Sequence, residues 1–459
     1  MSATPLFPND FVFGAATSAL QIEGSPLADG AGPSAWHTFC QEPGRIANGD
    51  KAEIACDHYH RFKSDIALMQ SLGLEAYRFS IAWGRILPEG RGRINPKGIA
   101  YYQRLLEALD QAGITPFVTL HHWDLPLALM ERGGFVHPDS AHWFSDYAET
   151  VFRHLGDSVQ HWCTFNEPWV MVHMGFMEGS HPPALIAPEK ARLATHNILR
   201  AHGLGVQAFR ATSRGEIGIV VNLEPKYPAS DSPEDLEATR RSDAWMNRQF
   251  LDPLFLGVYP EELSSIFKSA GSQFPENDMK LISTPMDFLG INYYSRAVVR
   301  HAPQNALFGF ESVHQAKSEH TAMGWEVFPQ GLYDCLKATQ NRYGDIPIYL
   351  TENGAAFEDS PVTKGRIFDP RRIHYLRTHL ASAFKALEAG VPLKGYFAWS
   401  LLDNFEWTFG FAKRFGLIHV DYPTLTRTPK DSAYFYREVI ETRGGAIGHD
   451  SEYPPIPEA

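Results

Sequence analysis

Tyr59-His-Arg-Phe-Lys-Ser-Asp-Ile-Ala-Leu-Met-Gln-Ser-Leu72 is followed by Gly73, Leu74 and Glu75, and then by Ala76-Tyr-Arg-Phe-Ser-Ile-Ala82. In the first stretch Phe62, Ile66, Met69 and Leu72 recur every three to four residues, the spacing of one apolar helix face. Gly73 supplies the left-handed stop that ends such a helix. The apolar, aromatic run after it reads as a buried strand. Helix, glycine and strand in that order make the unit of a parallel sheet covered by helices.

That unit recurs. Eight apolar runs stand at 11–16, 76–82, 116–121, 161–166, 217–223, 288–293, 346–351 and 393–399, with amphipathic stretches between them. The stretch 101–109 closes at Gly113 and the stretch 376–387 at Gly390. Eight strand–helix units without a linker or a composition break predict an α/β fold: one (β/α)8 TIM barrel domain over 1–459, not a two-domain doubly wound protein. Segments 24–57 and 304–325 exceed ordinary βα loops and carry little periodicity, so they read as long loops shaping a site at the C-terminal face. The Gly- and Pro-rich stretch 444–459 reads as a poorly ordered tail.

Composition excludes several classes. The 459 residues carry 41 basic and 53 acidic side chains, a net charge of −12 with no basic stripe, which argues against a nucleic-acid partner. No run approaches the roughly 18 apolar residues of a membrane span, and the first residues lack the charged and apolar regions of a secretory signal. A cytoplasmic protein with no membrane contact is the expectation. Cys40, Cys56, Cys163 and Cys335 are too few and scattered for a disulfide framework and form no C-x-x-C pair. His58-Tyr-His60 stands outside any H-E-x-x-H pattern, so no metal is expected. Gly203-Leu-Gly-Val-Gln-Ala208 fits G-x-G-x-x-A, but it follows the helical segment 193–201 where a dinucleotide site needs a strand. No cofactor is expected. Aromatic residues make up 13% of the chain and many stand beside polar ones, a mixture that suits the apolar face and hydroxyl rim of a sugar.

In a barrel the chemistry sits where strands end. The residues there are Gln21, Arg78, His121-His122-Trp123-Asp124, Asn166-Glu167, Asn222, Asn292-Tyr293-Tyr294, Glu352-Asn353 and Trp399. Glu167 and Glu352 close the fourth and seventh runs, on opposite walls. Two facing carboxyl groups are what glycoside hydrolysis needs, one to protonate the leaving oxygen and one to attack the anomeric carbon.

Seven segments in order carry a resemblance. They are Phe13-Gly-Ala-Ala-Thr-Ser-Ala-Leu-Gln-Ile-Glu-Gly24, Tyr77-Arg-Phe-Ser-Ile-Ala-Trp-Gly-Arg-Ile-Leu-Pro88, His121-His-Trp-Asp124, Thr164-Phe-Asn-Glu-Pro168, Gly290-Ile-Asn-Tyr-Tyr294, Thr351-Glu-Asn-Gly354 and Trp399-Ser-Leu-Leu-Asp-Asn-Phe-Glu-Trp407. The chain resembles β-glucosidases of glycoside hydrolase family 1. The resemblance implies a retaining β-glucosidase acting on β-glucosides and short β-linked oligosaccharides, with side activity on β-galactosides and β-fucosides. It makes Glu167 the acid/base and Glu352 the nucleophile, kept ionised by Arg78 and Tyr294. It gives Asn166 to the sugar 2-hydroxyl and His122 and Trp407 to O3. Gln21 and Glu406 would grip O3, O4 and O6 over a Trp399 floor. Trp123, Asn292 and Phe415 complete the pocket, and Trp325, Asn222 and His181 would line the outer subsite.

Relatives that take 6-phosphorylated sugars carry Ser in place of Glu406 and Tyr in place of Phe415, together with a Lys matching Lys413. Myrosinase-like relatives lack the acid/base that Glu167 supplies. A 6-phospho-β-glucosidase and a catalytically silent sugar-binding barrel are the alternatives. Leu20, where relatives have Tyr, and His181-Pro182-Pro183, where they have His-Ala-Pro, are departures expected to reshape the entrance.

Overall fold

The computed structural model describes residues 6–265 and 274–448. Eight parallel strands close into a barrel: β1 (Val12–Ala16), β2 (Ala76–Ser80), β3 (Thr115–His121), β4 (His161–Asn166), β5 (Glu216–Asn222), β6 (Phe288–Asn292), β7 (Ile348–Asn353) and β8 (Leu393–Trp399). Each pairs with its neighbours in sequence, and β8 closes on β1 with Val12 opposite Gly395 and Ala16 opposite Trp399. All eight runs read from the sequence are strands, with ends displaced by at most two residues.

Both faces of these strands are covered, which is why apolar residues dominate them without a strict alternation. Inside the barrel Ala76, Phe117, Cys163, Val220, Phe288 and Phe397 pack together, with Trp399 and Phe415 at the upper end. Outside, helices such as His58–Ser71, Pro96–Ala112, Ser140–Leu155 and Pro370–Glu388 bury their apolar faces against the sheet. Gly73, Gly113 and Gly390 all adopt positive φ where the sequence placed the helix stops.

Gly203 and Gly205 lie inside the helix Pro188–Thr212, not on a phosphate loop. A Cβ on Gly203 would stand 2.1 Å from the Leu281 carbonyl oxygen, and one on Gly205 would stand 2.9 Å from the Phe144 ring. The glycines serve close helix packing.

The long segment 304–325 is more ordered than its lack of periodicity implied. Phe310–Ser312 pairs antiparallel with Ala297–His301, which pairs in turn with Lys226–Pro228. At the other end Gly445–Gly448 forms a 3-10 turn with Ala446 and Ile447 buried, so the looseness expected from 444 does not begin there. Residues 449–459 lie outside the described residues. No helix among the described residues is long and apolar enough to cross a membrane.

Candidate active site

The middle of β2 sends Arg78 into the barrel, where it is 1% exposed. Its Nη1 lies 2.6 Å from Glu352 Oε1, and its Nη2 donates to Asn166 Oδ1 at 2.7 Å. From the segment after β6 the Tyr294 hydroxyl donates to Glu352 Oε2 at 2.6 Å. Both Glu352 oxygens are therefore held.

On the facing wall β4 ends at Asn166, and Glu167 takes the left-handed conformation (φ 47°) before Pro168 opens the next helix. Such a backbone costs a non-glycine residue about 1–3 kcal/mol and concentrates at active sites. It aims the carboxyl inward, where Glu167 Oε1 accepts from Asn292 Nδ2 at 2.7 Å. Asn292 also donates to Asn166 Oδ1 and is itself oriented by Thr351 Oγ1 at 2.7 Å. The Asn166 amide faces His122 Nε2 at 3.1 Å; an amide nitrogen can only donate, so Nε2 accepts and the imidazole is neutral.

Burial raises the pKa of both carboxyls. Glu167 rises furthest, from burial first and the Glu352 charge second. Glu352 is also raised by burial, with Arg78 and Tyr294 pulling it back. Arg78 was expected to leave Glu352 low; desolvation outweighs it. What survives is the order, which puts the pair's proton on Glu167 and its charge on Glu352. Glu406 departs further from expectation. Burial and the Glu352 charge push it up to about 8. It stands 3.4 Å from Gln21 Nε2.

These groups open into a cavity of about 680 Å³ at the C-terminal end of the barrel. Glu167, Glu352 and Glu406 face it, with Asn292, Tyr294 and Trp123. His122 lies between Trp399 and Trp407, nearly parallel to each at centroid distances of 5.9 Å. Asn222, His181 and Trp325 line the outer part, and Phe415 packs 6.1 Å from Trp325. Gln21, Arg78 and Asn166 are fully buried and hydrogen-bond to residues that line the cavity, Glu406, Glu352 and His122. Leu20 packs with Trp36, Trp123 and Trp407, and His181 sits edge-on to Trp36 at 4.8 Å. Both departures thus bear on the aromatic wall.

Lys413 turns away from the cavity, donating to the Ala322 carbonyl and lining a separate pocket with Asp359 and Arg414. Asp359, Asp403 and His419 cluster at ligand spacing. There Lys430 Nζ, 2.9 Å from Asp359 and 2.8 Å from Asp403, already supplies the cation.

The outer wall contains residues that sequence reasoning missed: Trp169, His173, Trp245 and Phe308. Trp169 stands two positions after Glu167, a signal that could have found it. Trp245 reads as an ordinary apolar helix residue, and nothing in the sequence separates it from core.

Comparison with known proteins places this arrangement. The model of the family described as "Glycosyl hydrolase family 1" matches residues 3–445. The chain is 48% identical over 444 residues to "Beta-glucosidase A" of Thermotoga maritima, covering 95% of this chain and 98% of that protein. It is 40% identical over 458 residues to the "Bifunctional beta-D-glucosidase/beta-D-fucosidase" of Bifidobacterium breve, covering 95% and 98%. The structure of the Thermotoga maritima β-glucosidase in complex with deoxynojirimycin superposes with a TM-score of 0.92 at 46% identity, covering 96% of this chain and 100% of that one. With the family's match spanning the barrel and both wall carboxyls, the chain belongs to glycosyl hydrolase family 1.

Proposed function

We propose that the protein is a retaining β-glucosidase, releasing terminal non-reducing β-D-glucosyl residues from β-glucosides and short β-linked oligosaccharides. One observation carries this reading: two buried carboxyls face the same cavity but differ in surroundings, Glu352 gripped by a guanidinium and a phenol, Glu167 by a neutral amide.

Glu352 attacks the anomeric carbon while Glu167 passes its proton to the leaving oxygen. Forming the glucosyl ester removes the Glu352 charge. The repulsion that raised Glu167 then vanishes, and Glu167 becomes the base that takes a proton from the attacking water. Asn166 and His122, braced on each other, are assigned to the 2- and 3-hydroxyls, with Trp407 on the O3 side and Trp399 under the sugar face. Gln21 and Glu406 are assigned to O4 and O6. Loss of one such contact through an axial O4 or a missing 6-hydroxyl costs about 1.5–3 kcal/mol, so β-galactosides and β-fucosides remain slower substrates. The Bifidobacterium breve relative, named for both glucosidase and fucosidase activity, fits that expectation.

The Lys413 ammonium that would meet a 6-phosphate is turned elsewhere, onto the Ala322 carbonyl, which disfavours the phosphoglucosidase reading. A silent sugar-binding barrel would lack one of the two carboxyls. A cytoplasmic location belongs to the same proposal, supported by four free, buried cysteines. The test is proton NMR of the first sugar released from an aryl β-glucoside. Retention predicts the β-anomer first; the α-anomer first would overturn the double displacement. A 6-phosphoglucoside as best substrate would overturn the choice of sugar.

A further inference from the structure

One of the two groups that grip Glu352 stands outside the barrel ladder. β6 ends at Asn292, and Tyr294, whose hydroxyl donates to Glu352 Oε2 at 2.6 Å, lies beyond that end. The Tyr293 amide still donates to the Glu352 carbonyl at 3.0 Å. From there the chain leaves the sheet, and its next carbonyls are held by side chains from behind the site.

Asn353, the last residue of β7, donates from Nδ2 to the Tyr293 carbonyl at 2.7 Å and to the Tyr375 hydroxyl at 3.0 Å. Its Oδ1 accepts from the Tyr396 hydroxyl at 2.7 Å. An amide nitrogen can only donate, so the Tyr375 oxygen accepts from Asn353 and its own proton is left for the Tyr294 carbonyl, 3.3 Å away. β7 with Asn353, the helix Pro370–Glu388 with Tyr375 and β8 with Tyr396 thus converge on two consecutive carbonyls. All three side chains are completely buried. The Tyr375 ring is itself fixed, stacked on His379 at 3.8 Å and 19°. A buried polar network with its partners satisfied rigidifies the backbone it holds. The backbone held here is the one that carries the phenol.

Resting on the β-glucosidase reading, we propose that Asn353 and Tyr375 are positioning residues that set the Tyr294 phenol against the second oxygen of Glu352. The charged groups that also face Glu352 are Arg78, Glu167 and Glu406, and Tyr375→Phe leaves all three in place. That substitution removes one hydroxyl and keeps the stacked ring. In kcat/KM against pH on an activated aryl β-glucoside, its acid limb should move to higher pH, the direction expected when Glu352 loses a donor. The loss on that limb should be about two- to fivefold, the worth of one neutral hydrogen bond. Tyr294→Phe combined with Tyr375→Phe should give the profile of Tyr294→Phe alone, because Tyr375 acts through the phenol. Asn353→Ser, which releases the Tyr293 carbonyl, should move the limb further in the same direction. An acid limb unmoved in either single variant, whatever its denaturation midpoint, or a double variant whose shift is the sum of its two parts, would overturn the proposal. Absence of aryl-glucoside hydrolysis in the unmodified protein would instead overturn the β-glucosidase reading itself.

Discussion

Two clusters of buried charge lie near the same end of the barrel and have opposite balances. Around the cavity three carboxyls, Glu167, Glu352 and Glu406, gather about the single guanidinium of Arg78, and all three are raised above the ordinary range. Beside it Asp403 receives Arg414 at 2.7 Å, Lys430 at 2.8 Å and the Gly416 amide at 2.9 Å, while Asp359 receives Lys430 and His419. Both aspartates are held below the ordinary range. Burial alone raises every one of these groups, so the number of cations supplied decides the outcome. Where anions outnumber cations, a proton is stored and can be moved. Where cations suffice, the charges act as a clamp, here on the segment carrying Glu406, Trp407 and Phe415.

The sharpest break comes from Glu352→Ala. Removing a nucleophile costs roughly 10⁴-fold or more in kcat, and added azide or formate should restore turnover with inversion by filling the vacated space. Turnover near the unmodified rate without added anion would dismiss the assignment. Glu167→Ala should cost about 10²–10⁴-fold with poor leaving groups and far less with activated aryl ones, because only the former need protonation. Equal losses on both would count against the acid role.

Asp403→Asn probes the clamp. Removing one partner of a buried charge network costs about 3–5 kcal/mol, visible as a lower midpoint in chemical denaturation. A depressed carboxyl contributes its stability fully above its unfolded value, near pH 4, and loses it as pH falls through the folded value. The difference between Asp403→Asn and the unmodified chain should therefore narrow only in acid. Unchanged stability with lost activity would move Asp403 into the reacting site.

Tyr294→Phe is the mildest. It removes a donor that favours the Glu352 anion, worth about 1.5–3 kcal/mol. Glu352 must be ionised, so the acid limb of the kcat/KM profile should move to higher pH while the basic limb, set by Glu167, moves less. A shift of the basic limb alone would reverse the two roles.

The strands were legible because a parallel barrel strand is buried on both faces and reads as an unbroken apolar run. The strand ends followed, and with them Glu167, Glu352, Arg78 and Asn292. Phe310–Ser312 and the hairpin of Ile418–Asp421 with Thr426–Pro429 escaped, being short and half-exposed, with little periodicity to mark them. The raised pKa of Glu406 escaped for another reason. It depends on how little solvent and how few cations surround the carboxyl, which residue order does not encode. Trp245 was hidden because a π-turn, which decides where its ring faces, has no sequence signature.

The pairing of β8 with β1 also sets a schedule. The Tyr436 hydroxyl donates to the Gly14 carbonyl across 422 positions, and Arg78 meets Glu352 across 274. At 5–20 residues per second a ribosome takes roughly 20–80 s to span the longer of these gaps. Throughout that time the first strand has an open edge, the feature by which nascent chains pair with the wrong neighbour. The Glu352 carboxyl and the Arg78 guanidinium meet only late in synthesis, so a chain released early holds Arg78 buried without its carboxylate partner.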